Sequence, residues 1–127
     1  MFSFKTRIIA LAAGCALALT GTGTALAGGS AKLTIKGRNG DFSGTVKTKK
    51  RSCADKRTVT VYMQQGSEQD PSVDSEIGSD TSELHGKHGE WSTGNSGYKE
   101  GNFYARASKE HGCKALSSKT IHETAVE

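Results

Sequence analysis

The sequence predicts an all-β protein: an antiparallel two-sheet β-sandwich of about seven short strands, following an N-terminal signal-peptide helix. Three observations predict it. Short runs alternate apolar and polar residues with a period of two, no helical stripe of useful length follows residue 28, and 16 glycines with one proline punctuate the chain.

The chain begins MFSFKTRIIALAAGCALALTGTGTALAGG. Lys5 and Arg7 precede an apolar run from Ile8 to Leu19, and Ala25-Leu26-Ala27 stands before two glycines. This is the build of a cleavable secretory signal, so residues 1–27 are read as the signal and 28–127 as one domain. The apolar run falls short of the roughly 20 residues that cross a bilayer, and no permanent transmembrane anchor is expected. The alternative is a lipoprotein, because LAAGC resembles a bacterial lipobox with Cys15 as the lipidated residue. A secreted, extracellular and monomeric domain is expected, small enough that its core needs reinforcement.

The strands follow in order. AKLTIKG sets Leu33 and Ile35 on one face, DFSGTVKT does the same with Phe42 and Val46, and GRNG at 37–40 between them reads as a hairpin turn. TVTVYM contributes Val59, Val61 and Met63. SVDSEIG carries only Val73 and Ile77. EWST is anchored by Trp91, NFYARAS supplies Phe103, Ala105 and Ala107, and SSKTIHETAV ends the chain with Ile121. The expected core is Leu33, Ile35, Phe42, Val46, Val59, Val61, Ile77, Trp91, Phe103, Ala105 and Ile121.

Removal of the signal takes Cys15 with it and leaves Cys53 and Cys113, an even count in an oxidising compartment, from which one disulfide is expected. A metal site would want a second Cys nearby, and there is none. A reactive thiol pair is the alternative, with only His111 in its surroundings.

CADKRTVTVY at 53–62, IGSDT at 77–81, GEW at 89–91, GNFYARA at 101–107 and CKALSSKTI at 113–121 together resemble the small secreted bacterial domains of transthyretin-like, or carboxypeptidase-regulatory-like, type. The resemblance covers about residues 30–122. It implies an immunoglobulin-like sandwich and a Cys53–Cys113 bridge, and it implies no catalytic residue. The chain differs from that pattern in SELHGKHG, residues 82–89, which reads as a longer and His-richer loop.

Chemistry-bearing patterns are sparse. His85 and His88 are weak metal candidates, since they sit in a Gly-rich segment with Lys87 between them. Asp70, Asp74, Glu76 and Asp80 lack the alternating ligands and central glycine of a calcium loop. No serine lies in a Gly-x-Ser-x-Gly elbow. No cofactor is expected, and the chain reads as non-enzymatic, with a structural or extracellular recognition role.

Charge is the feature that points outward. Removing Lys5 and Arg7 reduces the formal +4 to +2, yet residues 28–57 hold nine Lys or Arg against Asp41 and Asp55. Residues 58–90 hold only Lys87 against seven acids. The run Lys47, Lys49, Lys50 and Arg51 is therefore the candidate anion-binding segment, with an anionic cell-envelope polymer as its partner. The acidic segment would cancel this patch if the fold brought the two together. The less favoured reading is a small metal protein or enzyme using residues 82–89.

Overall fold

The computed structural model describes residues 31–125. The segment read as a signal, with Cys15 in it, lies outside the described residues. Ten short strands build two antiparallel sheets: β1 (Lys32–Leu33), β2 (Lys36–Arg38), β3 (Asp41–Lys47), β4 (Thr58–Met63), β5 (Ser75–Thr81), β6 (Glu83–His85), β7 (His88–Asn95), β8 (Gly101–Ala107), β9 (Leu116–Ser117) and β10 (Ile121–Glu123). The front sheet runs β1-β3-β7-β6, with β2 on the same side of β3 as β1. The back sheet runs β10-β8-β4-β5, with β9 beside β10 along β8.

Ten strands replace the expected seven because the first and last runs are each interrupted and because residues 82–89 are ordered. Both interruptions use the same device, a side-chain hydroxyl standing in the backbone ladder. Thr34 donates its N–H to Thr45 O (3.0 Å) while its Oγ1 accepts from Thr45 N (2.9 Å). Ser118 donates its N–H to Ala105 O (2.9 Å) while its Oγ accepts from Ala105 N (2.8 Å). In each case the edge strand bends and resumes as a second segment.

Two-residue turns set the hairpin registers. Asn39 and Gly40 both have positive φ (52° and 97°) and join Arg38 to its partner Asp41, as a type I′ turn requires. Residues 82–89 were expected to be a loop; they form the β6–β7 hairpin. Gly86, with φ of 69°, and Lys87 make the turn, and His85 stands opposite His88. Only half-buried Leu84 marks β6 as a strand, so periodicity offers almost nothing there. Val73 also departs from expectation: it is 64% exposed, in a turn where Asp70 O accepts from the N–H of Val73 and Asp74, and β5 starts only at Ser75.

The inner faces of the two sheets supply the core. Leu33, Phe42, Val46, Val59, Val61, Trp91, Phe103, Ala105 and Ala107 are buried in it, and Phe42 meets Phe103 with ring centroids 4.6 Å apart. Ile35, Ile77 and Ile121, expected inside, are only half-buried: Ile35 lies in the break between β1 and β2, Ile77 in a bulge of β5 opposite Val61 and Tyr62, and Ile121 on the edge strand β10. Tyr104 points away from this core and is nevertheless fully buried, covered by the connection between β4 and β5. Its hydroxyl donates to Asp74 Oδ2 (2.6 Å) and its ring stacks on Tyr62 at 5.3 Å.

One end of the sandwich is tied by covalent and polar bonds. Cys53 and Cys113 form a disulfide with Cα atoms 5.6 Å apart. The segment after Cys53 lies so close on β7 that a Cβ at Gly89 would come within 1.9 Å of Ala54 O. Ser82, fully buried, locks that approach by donating its Oγ to Ala54 O (2.6 Å) and accepting from Arg57 N (3.0 Å).

Two outcomes are expected. Replacing Cys53 with Ser opens a loop spanning 60 residues and should lower stability by about 4 kcal/mol on the chain-entropy argument, read in denaturant melts. Gly89→Ala should destabilise by at least ~1–3 kcal/mol, since the methyl meets backbone that a rotamer change cannot move. A near-wild-type midpoint for Gly89→Ala would mean that the Ala54 segment is free to lift.

Candidate functional site

The basic run predicted from sequence is a structured part of the disulfide end. Lys47 closes β3, and the chain then folds into a 3-10 turn at Arg51–Cys53. Thr48 Oγ1 donates to Lys50 O (2.6 Å), Cys53 N to Lys50 O (2.8 Å) and Ala54 N to Arg51 O (2.9 Å). These bonds hold the backbone and leave the cationic side chains outside, where Lys47, Lys49, Lys50 and Arg51 are exposed or half-exposed.

Two open depressions flank the run. One, of about 460 Å³, is lined by Lys47, Thr48, Lys49, Arg51, Lys87 and His88. The other, of about 290 Å³, lies over the disulfide and includes Lys49, Lys50, Cys53, Cys113 and Lys114 in its wall. Thr48 and Lys49 belong to both, so the two depressions share a wall. No carboxylate lines either one. Lys87 and Lys114 thus join the four predicted cations, brought in by the β6–β7 hairpin and by the turn that carries Cys113. The signal that could have found them was the hairpin for Lys87 and the cysteine pairing for Lys114.

The carboxylates near this end face other duties. Asp55 Oδ1 accepts from Leu84 N (3.2 Å), and Glu110 Oε1 accepts from Thr58 N (2.6 Å). That amide contact leads in lowering the Glu110 pKa; burial opposes it, and Ser108, His111 and Arg57 add to it. Arg57, counted in the basic excess of the sequence, is not part of the surface at all. It is 1% exposed and lies beneath the disulfide. Burial pushes its guanidinium below the ordinary value, against the opposing influence of Glu110.

The fold carries part of the acidic segment away from the patch, while Glu83 and Glu90 stay on the front sheet in the row next to Lys47 and His88. β4 leaves the disulfide end at Thr58 and reaches the far end at Met63, so the connection bearing Glu68, Asp70 and Asp74 lies at the opposite pole, with Glu76 paired to Tyr62 close by. Three of the segment's acids, Asp70, Asp74 and Asp80, are hydrogen-bonded into the fold. Asp74 accepts from Gln65 N (2.8 Å), Asp70 N (2.7 Å) and the Tyr104 hydroxyl, and Asp70 Oδ1 accepts from Ser72 N and Oγ. Asp80 Oδ2 accepts from Ser92 N (2.8 Å), at the stretch of β7 left uncovered where β6 ends.

His85 and His88 face each other across the hairpin, on the outer face of the front sheet, with Glu83 and Glu90 opposed in the next pair. His85 Nε2 lies 3.9 Å from Glu90 Oε1. Among the described residues no three His, Cys, Asp or Glu side chains converge closely enough to hold a metal ion. His111 is in the turn of Glu110–Cys113, beside the disulfide, with its imidazole 3.9 Å from Glu110. The disulfide itself is the chemistry of a non-reducing environment.

No family model matches the chain, and no curated protein matches it significantly.

Asp74 provides a pH-dependent expectation. Burial opposes its ionisation, but the Tyr104 hydroxyl and the amides of Asp70 and Gln65 outweigh that and hold the carboxyl below its ordinary range. A carboxyl depressed in the folded state contributes stability that is complete above the unfolded value and is lost as pH falls through the folded one. Melting temperature should therefore fall on acidification from about pH 6 to about pH 3, and Asp74→Asn should be less stable at neutral pH with a flatter acid limb. Equal acid losses in the two proteins would rule out Asp74 as a contributor.

Proposed function

We propose that this chain is a non-enzymatic, exported recognition module that holds an anionic polymer through the cationic disulfide end of its sandwich. The observation that carries the proposal is the convergence of Lys47, Lys49, Lys50, Arg51, Lys87 and Lys114, with His88, around two depressions that share a wall and contain no carboxylate. Cations held this way by three separate segments form a surface of one sign, which a polymer with repeated anionic groups can occupy at several points at once. The sequence features of a secretory signal and the disulfide support an extracellular setting, where anionic envelope polymers are the partners at hand. The resemblance to transthyretin-like domains supports the same reading, since its motifs imply a scaffold and no catalytic group.

Retention on immobilised heparin at low salt tests the proposal. Wild-type protein should bind and elute as salt rises, because each neutralised charge releases a counterion. Changing Lys47, Lys49, Lys50 and Arg51 together to Gln should abolish retention with little change in melting temperature, as exposed charges contribute little to stability. Lys87→Gln and Lys114→Gln should each weaken retention and reduce the salt slope by about one. Elution of the wild-type protein in the void volume at low salt would leave a plain structural module.

A further inference from the structure

The larger cationic depression does not end at Lys47 and His88. The outer face of the front sheet continues from it without a break, because the register sets successive outward residues in rows. Lys32, Lys47, His88 and His85 lie across the four strands at the disulfide end. Thr34, Thr45, Glu90 and Glu83 form the next row, and Lys36, Ser43 and Ser92 the third. Rows two residues apart on a strand are separated by roughly 7 Å. The second and third rows line a further open depression of about 530 Å³, with Asp80 at its side.

The two adjoining depressions have different chemistry. One is wholly cationic. The other offers hydroxyls from Ser43 and Ser92 and the carboxylates of Asp80, Glu83 and Glu90, which outnumber its one cation, Lys36. Glu83 and Glu90 are directly opposite each other across the ladder, an arrangement that costs stability and that hydrogen-bond donors from a ligand would offset.

A bare polyanion fits the first depression and is repelled by the second. A ligand that fits both carries anionic groups and, about one sugar ring away, hydroxyls that donate to carboxylates. Resting on the reading of the disulfide end as an anion site, we propose that the ligand is an anionic glycan laid across β3 and β7, with an acidic substituent among Lys47, Lys49, Arg51 and Lys87 and ring hydroxyls at Glu90, Glu83 and Ser43.

The sign of one substitution tests this. Glu90→Gln removes a negative charge, so a ligand held by charge alone binds the variant as well or better. A glycan that donates a hydroxyl to the carboxylate binds it worse, by roughly tenfold for one hydrogen bond to a charged group. Calorimetry at fixed ionic strength with heparin, inorganic polyphosphate and single-stranded DNA, on wild-type protein and Glu90→Gln, separates the cases. The expected result is weaker heparin binding by the variant, with polyphosphate and DNA binding unchanged or tighter and a melting temperature no lower than wild type. Heparin binding by the variant as tight as or tighter than by the wild type, or wild-type binding of polyphosphate or DNA as tight as that of heparin, would overturn the glycan assignment while leaving the anion site standing. Absence of wild-type binding to all three at low salt would overturn both.

Discussion

Everything at the disulfide end depends on one buried guanidinium. Arg57 donates from Nη1 to Cys53 O and from Nη2 to Ser108 O and Lys114 O, each at 2.8 Å. These carbonyls belong to three separate pieces of chain: the turn before β4, the end of β8 and the segment before β9. The disulfide joins two of those pieces covalently, but it fixes only one distance. The planar fork fixes the rest, since its donors point in set directions and cannot be swapped among acceptors. Nε is left without a hydrogen bond, 3.9 Å from Glu110. A charge enclosed so completely makes the arrangement brittle, because losing one member of such a set typically costs about 3–5 kcal/mol.

The position of Arg57 also explains why the surface above it is cationic and orderly. The carbonyls of Cys53 and Lys114 turn inward to meet the guanidinium, so the neighbouring lysine side chains are left outside. The fold then moves part of the acidic block away from the basic one, leaving Glu83 and Glu90 beside the basic end on the front sheet. A strand between Thr58 and Met63 is long enough to carry the acidic connection to the other pole, and there the acids serve as hydrogen-bond acceptors for amides and for Tyr104.

Much of the architecture was legible in the sequence, for local reasons. Alternation revealed β3, β4 and β8, because each buries one face and shows the other, and Asn39-Gly40 announced its own turn. The hairpin at 82–89 was hidden, since its strands bear two histidines, glycines and a single larger apolar residue, and a period of two has nothing to show there. Tyr104 misled in the opposite direction: its outward parity is real, and only the connection folded over it makes it buried. Arg57 gave no local sign of its burial, standing beside exposed Lys56 in an apparently uniform basic stretch. The candidate site was half legible. Its first four cations fall within five consecutive residues, whereas Lys87 and Lys114 reach it through the pairing of β7 with β3 and through a disulfide, both contacts between residues distant in sequence.

The broken edges bear on life in a crowd. A polymer that binds many copies raises their local concentration far above that in solution, and open sheet edges held side by side are templates for strand addition between molecules. On the front sheet the edge beside β3 is cut at Thr34 and the opposite edge, β6, is three residues long; on the back sheet the edge beside β8 is cut at Ser118. None of these three offers a neighbouring chain a long straight row of free amides and carbonyls. The fourth edge, β5, runs seven residues but is broken by the bulge at Ile77, so each of the four edges is short or interrupted where a neighbouring strand would have to pair.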